Sequence, residues 1–135
     1  MLEILARVVV VAFGLFLIGL SGTLFAGSAW AQRFLEAFAS SARAHFTEQA
    51  IRLVFGAALV MAAPAMWQAE AFRFVGWIVI ATSVGLLLVP WRWHHRFAAS
   101  VIPLVLRYQK LYAVGVLAFG GLLVFAVVSG PDGMI

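Results

Sequence analysis

Three histidines, His45, His94 and His95, are the residues of this chain best suited to acid–base or metal chemistry. Cysteine and asparagine are both absent, which excludes thiolate ligands, thiol nucleophiles and N-glycosylation. His94 and His95 stand between Arg92 and Arg96. Neighbouring residues on a helix point different ways, and the flanking positive charge opposes a cation, so no metal site is expected there. A haem held between membrane helices would need axial ligands within them. All three histidines are expected in the surface connections between crossings, and no cofactor is expected. Nor is there a nucleophile–base set, so no catalytic residue is assigned.

Glu48 and Arg52 are the charges placed deepest in an apolar segment. Four residues apart, they share one helix face and should support each other. Such a pair reads either as a polar anchor lining a cavity or as an interfacial arginine with its counter-ion, and the second reading is favoured. A proton-coupled transporter keeps an ionisable group near mid-membrane, whereas this pair sits near a segment end. The third chemical feature is the stretch Trp91 to Lys110, which holds Arg92, His94, His95, Arg96, Arg107 and Lys110 and no acid. Tryptophans of the interfacial type accompany it, so these residues are expected to bind anionic phospholipid head groups or an acidic partner loop.

The elements carrying these residues follow from composition. The chain of 135 residues is 65% hydrophobic and 10% charged, far from the roughly one-quarter charged of soluble proteins. Its formal charge of +4 therefore points to membrane topology and anionic lipid rather than nucleic acid. Eight arginines against one lysine fit a bacterial, GC-rich origin. The predicted fold is an all-α integral membrane protein, one domain of four transmembrane helices over about 4–28, 48–67, 74–90 and 104–129. Two interfacial amphipathic connections, about 29–47 and 91–110, join them.

Details within these segments sharpen the expectation. Glu3 precedes Arg7 by four residues and should pair with it. Gly14, Gly19, Gly22 and Ala26 in the first crossing, and Ala81 and Gly85 in the third, would let other helices approach closely. Ala29-Trp30-Ala31 resembles a signal-peptidase site, but the preceding apolar run exceeds a signal peptide's roughly 7–15 residues, so the first helix is expected to be retained. In the first connection Arg33, Glu36, Ser40, Arg43 and Thr47 form a polar stripe opposite Trp30, Phe34, Phe38 and Phe46. Thr47-Glu48-Gln49 looks like the start of the second crossing. Thr82 and Ser83 in the third can bond back to their own helix. Pro103 is expected to interrupt the second connection, with the fourth helix beginning near it.

Seven basic residues (Arg33, Arg43, Arg52, Arg92, Arg96, Arg107 and Lys110) lie in or beside the two long connections, against Arg7 and Arg73 at the opposite ends. The positive-inside rule then puts both connections in the cytoplasm of a bacterial inner membrane and both termini on the periplasmic side. An internal duplication is also legible. Leu53–Val60 and Leu117–Val124 match at five of eight positions, as two parallel halves of crossing, connection and crossing would. The functional expectation is a non-enzymatic accessory or scaffold subunit packed against another membrane protein or a second copy. The alternative is a binder of a lipid- or quinone-like amphiphile, acting as enzyme or carrier. A polar cluster of Glu48, Arg52 and a histidine gathered at a cavity mouth would favour that alternative, and a solid bundle with Arg52 facing lipid head groups would favour the scaffold.

Overall fold

The computed structural model describes residues 1–37 and 40–132, and every regular element in them is helical. The helices are α1 (Leu2–Phe25), α2 (Ala29–Glu36), α3 (Ala42–Ala62), α4 (Ala69–Leu88), α5 (Trp91–Arg107) and α6 (Gln109–Ser129). A 3-10 turn, Ala63–Ala65, extends α3 at Pro64. By length and apolar composition α1, α3 with its turn, α4 and α6 can each cross a membrane. Phe38, assigned above to an apolar face, and the tail from 133 lie outside the described residues.

Two boundaries differ from expectation. The first connection is not one amphipathic helix: α2 ends at Glu36, and α3 starts at Ala42, well before Thr47. Ser41 caps α3, its side chain accepting a hydrogen bond from the Ala44 N–H, as Ser28 does for α2 from Ala31. The polar first turns of α3 had disguised it as a connection. In the second connection α5 runs unbroken through Pro103. A proline removes one backbone donor, and the remaining ladder carries the helix on to Tyr108, where the backbone (φ −108°, ψ 38°) ends it. The fourth crossing therefore starts at Gln109.

Packing reveals the duplication. α1 pairs with α6 and α3 with α4, while α1 and α3 join the two pairs. Each pair crosses at two glycines. A Cβ on Gly14 would meet the Gly120 carbonyl oxygen at 2.9 Å, and one on Gly120 would meet that of Gly14 at 2.8 Å. Gly56 and Gly76 stand in the same reciprocal relation, 3.0 Å each way. Only glycine permits such an approach. Gly14 and Gly76 are 62 positions apart, and Gly56 and Gly120 are 64 apart. The neighbours repeat with them: Val60 and Val124 touch the matching glycines, as do Ile80 and Ile18. Each half lends its first helix to the last helix of the other.

The main core contains Val10 and Phe72, Leu59 and Leu123, and Ala62 and Ala126, again at spacings of 62 and 64. At one end the Trp67 N–H donates to the Ala126 carbonyl at 2.9 Å, tying the α3–α4 turn to α6. At the other end α2 and α5 lie together. Both long connections thus occupy one side.

Candidate functional site

His45, Glu48, Gln49 and Arg52 occupy positions i, i+3, i+4 and i+7 of α3, one face of its first three turns. α4 ends and α5 begins opposite that face. The Arg52 guanidinium donates from Nη2 to Thr82 Oγ1 at 2.6 Å and from Nε to Ser83 Oγ at 3.0 Å. Both hydroxyls donate onward to carbonyls of their own helix, Thr82 to Ile78 at 2.9 Å and Ser83 to Val79 at 2.7 Å. This back-bonding orients them as acceptors for Arg52. The expected Glu48–Arg52 ion pair is not formed. Glu3 and Arg7 do not pair either, and the ion pair among the described residues is Glu70 with Arg73. The α4 hydroxyls offer Arg52 a better-directed partner than a carboxylate on its own helix.

His45 is fully buried and meets His94 of α5, Nδ1 to Nδ1, at 2.8 Å. One ring must donate and the other accept, so at least one imidazole is a neutral acceptor at this contact. Burial pushes the His94 imidazole below its usual value, and the charges of His45 and Arg52 push the same way, against the upward pull of the Glu48 carboxylate. His95, one residue on, faces Trp91 instead, with ring centroids 6.0 Å apart.

Four further polar atoms of the cluster have no protein partner. His45 Nε2, Glu48 Oε2 and both Gln49 amide atoms are buried and unbonded. These three residues span barely more than one helical turn, and Gln49 is fully buried. A buried polar group without a partner costs about 1–3 kcal/mol, so four such atoms gathered here are a strained arrangement for a protein left to itself. Among the described residues no group of three or more His, Asp or Glu is arranged to hold a metal ion.

The duplication supplies an internal comparison. At the equivalent place in the other half, His45 is matched by Gln109, Gln49 by Ala113, Arg52 by Val116, Thr82 by Leu20 and Ser83 by Ser21. There Leu20, Leu24, Ala31, Leu35 and Ala113 form an apolar cluster, with Val116 packed against it, and Gln109 bonds the Leu24 carbonyl at its edge. The same helical geometry is therefore built without the polar set. The fold does not demand His45, Gln49 and Arg52.

The basic residues of the second connection separate into two groups. Arg92, His95 and Arg96 lie in the first turns of α5, with the Arg92 guanidinium 6.0 Å from the Trp91 ring. Arg107 at its far end, roughly 20 Å along the helix, and Lys110 in the first turn of α6 lie beside the end of α1. Gln49 and Ser83 were read from the sequence only as a helix start and a back-bonding hydroxyl, and Gln109 not at all. The i, i+4 spacing of His45 and Gln49 was visible, but nothing in the sequence says that α5 folds over them. No protein-family model, no curated protein and no solved structure matches this chain.

Proposed function

We propose that the protein binds an amphiphilic small molecule, lipid- or quinone-like, with its polar head at the His45–Glu48–Gln49–Arg52 cluster and its apolar part between the helices. The observation that carries this is the set of four buried, unpartnered polar atoms, at a place where the other half of the fold has an apolar cluster. A head group with a donor and an acceptor suits it. Gln49 offers both an acceptor oxygen and donor hydrogens, Glu48 accepts, and His45 Nε2 does either according to its tautomer. Arg52, held by Thr82 and Ser83, supplies fixed positive charge. α5 covers the cluster, and its one buried residue is Ala98. An element so sparsely buried is the one that opens at low cost to admit a ligand.

The test is extraction of protein from its native membrane in mild detergent, followed by organic extraction and mass spectrometry of what remains bound. Wild type should carry a defined amphiphile that Gln49→Leu and His45→Phe lose. Identical profiles would sink the reading.

A second reading, an accessory subunit packed against another membrane protein or a second copy, is favoured by one observation. Gly19 and Gly22 of α1 and Gly85 of α4 have nothing within 4 Å of where a side chain would start, and Ala81 is exposed. Small, open positions of this kind accept a further helix. A discrete larger complex with a fixed partner in native mass spectra, carrying no small molecule, would select it. In either case we place the chain in a bacterial inner membrane with both termini on the periplasmic side, on the excess of basic residues at the α2 and α5 end. Alkaline phosphatase fused to the C-terminus should be active; an inactive fusion would reverse that orientation.

A further inference from the structure

A second site lies on the same side of the molecule, away from the polar cluster and independent of it. The end of α1 and the junction of α5 with α6 enclose an open groove of about 530 Å³. Arg107 and Lys110 are its charged residues, and no acid lines it. Neither cation is engaged in an ion pair. The Arg107 guanidinium lies 5.5 Å from the Tyr108 ring, which directs it without neutralising it.

The groove is built, not incidental. The Gln109 amide donates to the Leu24 carbonyl at 2.8 Å, pinning the α5–α6 junction to the end of α1. The last α1 carbonyls, which would repel an anion, are occupied: Gly22, Thr23 and Leu24 accept from the N–H groups of Ala26, Ser28 and Gly27. Gly27, at φ +65°, turns the chain away and leaves the groove open. On the membrane side its walls are apolar and exposed, Phe25 at 41% and Leu111 at 72%. Two cations at the α5–α6 junction, without an ion pair among the described residues and above exposed apolar walls, match a molecule with an anionic head and an acyl tail.

We propose that this groove seats an anionic phospholipid, its phosphate between Arg107 and Lys110 and an acyl chain against Phe25 and Leu111. Two basic contacts at an anionic surface correspond to a preference over a zwitterionic lipid on the order of thirtyfold. Arg92 and Arg96, though equally basic, do not line this groove and contribute far less.

The experiment uses the full-length protein in detergent, titrated with phosphatidylglycerol or phosphatidylcholine and followed by native mass spectrometry. Wild type should retain one phosphatidylglycerol in strong preference to phosphatidylcholine. Arg107→Gln with Lys110→Gln should lose that preference, and Arg92→Gln with Arg96→Gln should keep it within about threefold. Should the double variant fail to insert, Leu111→Gln, which keeps both charges and spoils the tail contact, should weaken retention instead. Equal losses from the two arginine-bearing pairs would mean general charge attraction and overturn the proposal. So would displacement of the lipid by millimolar inorganic phosphate, which would make the groove a site for free anions.

Discussion

Replacing Gln49 by leucine should make the ligand-free protein more stable. Gln49 is fully buried, and its amide oxygen and nitrogen both lack a partner. Leaving such a group unbonded costs about 1–3 kcal/mol. Leucine has a similar volume and no polar atom, and a volume-conserving exchange in a packed interior costs less than about 1.5 kcal/mol. The net effect therefore runs from a loss of about 0.5 kcal/mol to a gain of about 3 kcal/mol, with a gain as the expected outcome. Ala113, the counterpart of Gln49 in the second half, is an apolar residue fully buried in an apolar cluster, so the geometry accepts an apolar side chain. The assay is reversible unfolding by titrated denaturing detergent after delipidation. Delipidation matters because any bound amphiphile stabilises wild type by mass action and would hide the difference. The same variant should lose the co-extracted small molecule, a stability gain at the expense of function. A loss of more than about 1.5 kcal/mol on Gln49→Leu would show that Gln49 is bonded within the protein, and the reasoning would fail.

Three further outcomes follow from the geometry. Gly76→Ala should destabilise by about 1–3 kcal/mol, because its Cβ would meet Val60 Cγ2 at 2.8 Å and the Gly56 carbonyl at 3.0 Å; Gly85→Ala on the same helix, with nothing within 4 Å, should be neutral or stabilising by thermal unfolding. Stability should depend on pH through His94. Its lowered value means that the folded state resists protonation, so the His94 contribution is complete above the usual pH of about 6.5 and is lost as pH falls through the lower folded value; His94→Phe should flatten that slope in unfolding curves, and unchanged slopes would contradict it. Ser41→Ala should cost about 1 kcal/mol by removing the bond to Ala44 that starts α3, and no change in unfolding would mean that α3 starts elsewhere.

How much of this was written plainly in the sequence depends on the range of the interaction. The four crossings were legible because each is a long apolar run, and their number does not depend on tertiary contacts. The start of α3 was not, because Ala42 to Gln49 is polar enough to pass for an interfacial segment. Of its polar side chains His45 and Gln49 are buried, with α5 lying over His45. The His45–His94 contact spans 49 positions, and no local period announces it. Pro103 misled in the opposite direction, since one missing donor does not end a helix that is otherwise continuous. The glycine crossings were half visible. Gly14 was picked out as small, but so were Gly19 and Gly22, and only the structure separates the packed position from the open ones.

The most direct measurement of the central claim is a high-resolution crystal structure of the protein grown from a lipidic phase without prior delipidation. Density larger than a water should lie within hydrogen-bonding distance of the Gln49 amide, His45 Nε2 and Glu48 Oε2, and it should continue as an apolar tail between the helices. Direct bonds among those three side chains, or isolated water-sized peaks satisfying them, would contradict it.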